Sequence, residues 1–357
     1  MRFIMKKSYF EDIKLFKYKS TVFWYSALML ILVVFPTFGG DFLISLFTSI
    51  FIYSIASIGL MILTGYTGQL SLGHAAFFAI GSYTTAILTT KGVPFLLALP
   101  CAGLVSGFIG VFVALPALRL TGMYLAIATM GFAYIVEEII ARWESLTRGN
   151  MGMILDPPTI GPLVIESETQ YYFLALVVLV ITILAAINIL RTPAGRAMIA
   201  IRDSEVAAQA IGVSLLKYKT VSFVFSAFFT GIAGCLWAHK LSYISPESFG
   251  FMVSVTFLIM IIIGGLGSIH GAIFGTTFLL GLPAVIIYIK DYLPHSIAGQ
   301  TGLEPAVIGI IIMLFIIFEP NGLYGRWRKI KFYWEMFPLY KKDTFKRIRG
   351  YQKTERH

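Results

Sequence analysis

Charge is scarce in this chain. No Asp, Glu, Lys or Arg occurs between Phe42 and Thr90 or between Ser248 and Ile289, runs of 49 and 42 residues. Only 13% of the 357 residues are charged and 57% are hydrophobic, whereas a soluble domain carries about 25% charged residues. A soluble globular chain is thereby excluded. There are two cysteines, Cys101 and Cys235, both inside apolar segments, so neither a disulfide framework nor a metal site can be built from them. No GxxxxGK[ST] phosphate loop occurs, nor any Gly-Lys pair, which removes nucleotide hydrolysis through a Walker loop of this chain's own. No HExxH, CxxC or Ser/His/Asp ordering points to hydrolysis in the membrane. No apolar segment carries an ionisable residue near its midpoint; Glu137, Glu138 and Glu304 stand at segment ends, where solvation is the favoured reading. An ion-coupled carrier usually needs a membrane-embedded carboxylate or an unwound, oxygen-lined site, so the missing carboxylate counts against that class without excluding it.

What is present is a series of apolar segments of membrane-spanning length. About ten are expected, near 21–38, 42–64, 68–90, 95–117, 121–141, 171–190, 220–238, 251–268, 271–289 and 304–318. The fold class is therefore an all-α polytopic membrane protein. The net charge of +10 resolves on inspection of where it lies. With the N-terminus inside, the internal segments hold 23 of the 28 Lys and Arg residues, and the external ones hold Lys91, Arg142, Arg148, Lys240 and Lys290. By the positive-inside rule both termini are expected in the cytoplasm. This divides the chain into a basic N-terminal segment 1–20, a membrane domain 21–318 and a basic cytoplasmic tail 319–357. For the basic tail 326–349 two readings stand, positive-inside anchoring and binding of anionic lipid or nucleic acid; anchoring is favoured, and no nucleic-acid partner is expected. The first apolar run lacks a small-x-small cleavage site and reads as a retained span.

Two joints between spans are rich in glycine and free of charge. The first runs Gly65-Tyr66-Thr67-Gly68-Gln69-Leu70-Ser71-Leu72-Gly73-His74, and unwound backbone at membrane depth needs protein or a water-filled cavity to satisfy it. Two readings stand: a substrate-pathway wall using Gln69, Ser71 and His74, or a tight turn with small-residue packing. For His74 alone, a neutral hydrogen-bonded packing role is favoured. The second joint is Gly264-Gly265-Leu266-Gly267-Ser268-Ile269-His270-Gly271. Gly267, Gly271 and Gly275 recur at helical spacing and are expected to admit a close helix neighbour, as are Gly103 and Gly107. Glycine spacing shared by the two joints hints at an internal duplication. Repeats over spans two to five and seven to ten would be inverted, as in many transporters.

The most informative polar stretch is 191–219. Thr192-Pro193 reads as a helix start. A second short helix follows, capped by Asp203 or Ser204 and closed by Gly212, with Ala207, Ala208 and Ile211 on one face. A short helix of small residues suits a groove on a partner, or lies on its own membrane domain.

Glu205-x-Ala207-Ala208-x-x-x-Gly212 resembles the EAA motif of ABC importer permeases. The longer strings RTPAGRAMIAIRDSEVAAQAIGV, GYTGQLSLGHAAFFAIGSY, VSFVFSAFFTGIAGCLWA and GGLGSIHGAIFG, with the closing Phe318-Glu319-Pro320-Asn321-Gly322-Leu323, resemble the LivM-type permeases of branched-chain amino acid importers over about residues 42–325. The resemblance implies a membrane architecture of the vitamin B12-importer type. It implies a second, LivH-like permease, two ATP-binding subunits that carry the ATP and Mg, and an extracytoplasmic substrate-binding protein, in a prokaryotic plasma membrane. Arg196, Arg202, Asp203, Glu205, Ala208 and Gly212 would then face the ATPase. The sequence departs from the family pattern at Tyr134 and Glu137 and at Arg148, toward the external side, which bears on substrate identity or binding-protein docking. The function expected is translocation of branched-chain or related amino acids by an ATP-driven importer, with no enzymatic site on this chain. The alternative is an ion-coupled carrier or channel for a small neutral or zwitterionic solute.

Overall fold

The computed structural model describes residues 19–117, 120, 122–161, 163–290 and 303–336. Most of segment 1–20, Arg119, and the tail beyond residue 336 lie outside the described residues. The chain forms helices α1 (Lys19–Val34), α2 (Asp41–Leu60), α3 (His74–Thr90), α4 (Phe95–Ala117), α5 (Met123–Arg142) and the single turn α6 (Glu144–Thr147). It continues with α7 (Glu168–Arg191), α8 (Pro193–Asp203), α9 (Glu205–Ala210), α10 (Leu215–Leu241), α11 (Phe251–Gly264), α12 (Ile269–Lys290), α13 (Leu303–Phe318) and α14 (Gly322–Met336). Two short antiparallel ladders, β1 (Met153–Ile154) with β4 (Tyr243–Ile244) and β2 (Thr159–Ile160) with β3 (Leu163–Val164), decorate one end of the bundle.

Each of the ten expected segments contains a helix, but a count of ten full spans is not confirmed. Among the described residues, seven helices are long and apolar enough to cross a bilayer, or eight if the bent pair α13–α14 counts as one. The shortfall has a simple geometric cause. Helix α3 has 17 residues, about 26 Å at 1.5 Å per residue, short of the roughly 30 Å hydrocarbon core. Its missing turn is the unwound joint 68–73. Helix α1 has 16 residues and ends in a 3-10 turn at Pro36.

The centre of the bundle is α10, whose buried face carries Phe223, Ser226, Ala227, Gly231, Gly234 and Cys235. Small residues let α3 and α4 come close: a Cβ at Gly81 would lie 2.1 Å from the Gly231 carbonyl oxygen, and one at Gly234 would lie 2.0 Å from that of Phe78. Gly103 packs under Phe228 and Ile232, the helix contact expected of it. Gly271 and Gly275 likewise admit α11, whose Gly264 and Met260 backbones they touch.

The helix pairing is exchanged between the halves of the chain. Helix α10 packs against α3 and α4, while α2 packs against α11 and α12. The pairs α3–α4 and α11–α12 correspond in the same way. An inverted repeat with spans two and seven equivalent would produce this exchange. The glycine likeness that suggested a duplication is not its sign, because both glycine joints lie at one end of the bundle. Equivalent joints of an inverted repeat lie at opposite ends.

Segments assigned to one side by charge meet one another. Gly65, Arg202, Gly267, Gly265 and Asn321 converge at one end, and Met153–Ile154 pairs with Tyr243–Ile244 at the other.

Candidate functional site

The polar segment 191–219 is built as its sequence implies. Thr192 caps α8, its Oγ1 accepting from the Gly195 N–H at 3.4 Å, and Pro193 takes the first helical position. Helix α8 buries Gly195, Ala197, Met198 and Ile201 against the membrane bundle. Ser204 rather than Asp203 caps α9, its Oγ accepting from Ala207 at 3.3 Å. The segment turns at Gly212, where φ is +85°, a conformation that an L side chain adopts only at a cost.

Arg202, in the last turn of α8, is 37% exposed and lies along the end of the bundle. Its Nη1 donates to the Gly65 carbonyl at 3.0 Å, while Nε and Nη2 donate to Asp203 Oδ1 at 3.2 and 3.1 Å. Its stem lies over Gly68, where a Cβ would sit 3.3 Å from Cγ, and its guanidinium lies against Gly267, where a Cβ would sit 2.8 Å from Nη1. Gly65 closes a π-helical turn, Met61–Gly65, that ends α2. The Gly267 N–H in turn donates to the Met61 sulfur at 3.3 Å. One side chain of the polar segment therefore touches both glycine joints. A π turn is a strained element that frequently marks a functional position in a helix.

Glu205 faces its own chain. Lys219 Nζ lies 2.7 Å from its carboxylate, and the Lys219 side chain is only 5% exposed. Ala208 is buried as well. What α9 and its surroundings present outward is Val206, Ile211 and Leu216, exposed by 80%, 77% and 61%. Beside them is a depression of about 540 Å³ lined by Glu205, Gln209, Gly212, Leu216 and Lys219 among others. Val206 and Leu216 did not stand out in the sequence.

Gln69, Ser71 and His74 come together in one buried cluster at the first joint. Gln69 Nε2 donates to Ser222 Oγ at 3.2 Å, and His74 bridges Ser71 Oγ at 3.0 Å and Ser226 Oγ at 2.6 Å. Backbone groups of the joint are held too: Leu72 N–H donates to Thr129 Oγ1 at 3.0 Å and Ala75 N–H to Ser254 Oγ at 2.9 Å. Ser222 and Ser226 stand one turn apart on α10, so the unwound stretch is satisfied by side chains of α5, α10 and α11. This is how irregular backbone survives at membrane depth. Toward the other end, Tyr134 stacks near Phe251 and Glu138 pairs with Arg142 on the outer half of α5.

The profile of the family described as "Branched-chain amino acid transport system / permease component" matches residues 42–316. The chain belongs to this family of transport permeases. The family's match begins at the first residue of the uncharged run and ends within α13, so it takes in both joints and segment 191–219. Among its relatives is the high-affinity branched-chain amino acid transport system permease protein LivM of Salmonella typhimurium. The two are 33% identical over 322 residues, covering 83% of this chain and 73% of that one. The LivM protein of Escherichia coli K12 is 31% identical over the same shares. LivH of S. typhimurium is 24% identical over 77% of this chain and 91% of its own. Among solved structures, PsaBC from Streptococcus pneumoniae in complex with Fab aligns over 85% of this chain and 99% of that one, with 13% identity and a TM-score of 0.42. As a permease component, this chain is a multi-pass membrane subunit of an import system, and the convergence on Arg202 lies inside the family's common region.

Proposed function

We propose that this chain is one of two permease subunits of an ATP-driven importer of branched-chain amino acids. ATP and Mg act on two separate nucleotide-binding subunits, and an extracytoplasmic binding protein delivers the substrate. The observation that carries the reading is Arg202. Motion imposed on segment 191–219 by a partner has a direct route into both glycine joints, hence into α2, α3, α11 and α12. In this reading the segment lies in the cytoplasm, with both termini on that side of the plasma membrane. Val206, Ile211 and Leu216 form the contact with the nucleotide-binding subunit, together with Gly212, and Glu205 holds α9 in place through its pair with Lys219. Arg202, Asp203 and Ala208 set the posture of that contact, and Arg196 lies on the same segment. The buried Gln69–Ser71–His74 cluster forms the inner wall of the pathway and parts when the joint moves. A pathway without fixed charge suits a zwitterion that must pass rather than stay bound.

The test is reconstitution of the co-expressed complex in proteoliposomes with candidate binding proteins. Leucine, isoleucine and valine should enter only with ATP inside the nucleotide-subunit compartment and with a cognate binding protein outside. Solute flux through this chain alone, driven by an ion gradient and indifferent to ATP, would instead establish an ion-coupled carrier.

A further inference from the structure

Helix α14 is not absorbed by the transport reading. It leaves α13 at a bend of 52° and carries Arg326, Arg328, Lys329 and Lys331 within six residues, against one acid, Glu335, in the whole helix. Four cations in so short a stretch rule it out as the continuation of a span. Yet it is not a wholly polar helix. Leu323, Trp327 and Ile330 recur at i, i+4 and i+7 and make one apolar stripe. Trp327 remains 53% exposed and Ile330 46%. At 100° per residue, Arg326 and Lys331 fall about 70° to either side of that stripe, the arrangement from which long cationic side chains reach headgroups while their stems cover apolar surface.

The placement of the helix agrees with its pattern. Trp327 meets the ring of Phe274 edge-on, with centroids 6.5 Å apart. Phe274 lies little more than a turn inside the end of α12, so the indole sits at the level where that span meets its boundary. Tryptophan is enriched at this depth. The start of α14 is held firmly: a Cβ at Gly322 would lie 2.5 Å from the Gly265 backbone, and Glu319 lies 3.6 Å from Arg326 and 3.4 Å from Lys329. Glu319 engages the cations of one flank, while Arg328 and Lys331 belong to the other.

We infer that α14 is an interfacial helix whose half-exposed apolar stripe enters the headgroup boundary and whose cations recognise anionic lipid. Charge complementarity selects this occupant: a cytoplasm-facing leaflet rich in anionic lipid attracts juxtamembrane Lys and Arg, and an amphipathic helix of this composition lies in the plane of the interface. Because its first turn rests on Gly265, the helix also ties the second glycine joint to the membrane surface. The inference does not depend on what the complex transports.

The test uses the full chain with Cys101→Ser and Cys235→Ser, a nitroxide label on Ile330→Cys, and nanodiscs of phosphatidylcholine with or without phosphatidylglycerol. Collision with lipid-soluble oxygen and with a water-soluble nickel chelate is read by electron paramagnetic resonance. The label is expected to be reached by oxygen and shielded from nickel, more so with phosphatidylglycerol. The added pair Arg328→Gln and Lys331→Gln should abolish the phosphatidylglycerol-dependent shift. A label reached equally by nickel in both lipids would place the helix in water. One reached by neither probe would mean that protein covers the stripe. Either result, or a shift that survives the glutamine pair, overturns the inference.

Discussion

Arg202 donates a 3.0 Å hydrogen bond to the carbonyl of Gly65, 137 residues earlier in the chain, and in doing so closes the end of a π turn. The guanidinium does this while held by Asp203 on its other edge. A planar fork serves two partners at once, which a lysine ammonium at the same place would do poorly.

Arg202→Ala should leave the complex assembled and its ATP hydrolysis intact while ATP-driven uptake falls about tenfold or more. A hydrogen bond from a charged group contributes about 1.5–3 kcal/mol, and each 1.4 kcal/mol corresponds to a factor of ten. Arg202→Lys should recover only part of the loss. Uptake and ATP hydrolysis are measured on the same proteoliposomes; a proportional fall in both would argue against a transmission role.

Gly267→Ala should reproduce that phenotype without touching the arginine. Its new Cβ would stand 2.8 Å from Arg202 Nη1, at a residue with φ of +83°, so the guanidinium must move. Since both changes act on one contact, the double variant should be no worse than the more severe single one. Simple additivity in uptake rates would separate the two residues.

Glu205→Ala should weaken association with the nucleotide-binding subunit indirectly, by stranding the buried Lys219 ammonium and loosening α9. Breaking a buried pair costs about 3–5 kcal/mol; because the Glu205 side chain is 40% exposed, the loss here should be nearer 1–3 kcal/mol. Adding Lys219→Met should restore part of the thermal stability and of the co-purification. No rescue by the second substitution would mean that Glu205 touches the partner directly.

Val206→Asp and Ile211→Asp should each abolish co-purification of the nucleotide-binding subunit while changing the chain's own stability by no more than about 0.5 kcal/mol, as exposed substitutions usually do. Ala208→Asp is the contrasting case, because it places a charge in a buried position and should unfold the segment itself. Pull-down paired with thermal denaturation distinguishes the two outcomes.

Much of the fold was legible because bilayers impose simple rules. Uncharged runs marked the helices, Thr192-Pro193 marked the start of α8, and lysine and arginine counts grouped the segments that meet at each end. The count of spans is left unconfirmed where composition and geometry part. Joint 68–73 is as free of charge as its neighbours, but Gly68, at φ +77°, and the hydrogen bonds to Thr129, Ser222, Ser226 and Ser254 hold that stretch unwound. The sites were legible as residues and not as contacts. Gln69, Ser71 and His74 stood out by type, and nothing local revealed that serines on α10 would receive two of them.

The amino-acid order by itself determined that this chain lives in a membrane, which side its charges favour, that it carries no GxxxxGK[ST] phosphate loop, and which short segment resembles a docking element. Those conclusions follow from transfer free energies and from motifs, which are local. Tertiary structure decided the rest: that Arg202 reaches Gly65, that Glu205 is spent on Lys219, that Val206 and Ile211 face outward, and that the two glycine joints share one arginine. The arginine joins residues 137 apart in the chain and the Glu205–Lys219 pair residues 14 apart, and both depend on which faces of separate helices are brought together.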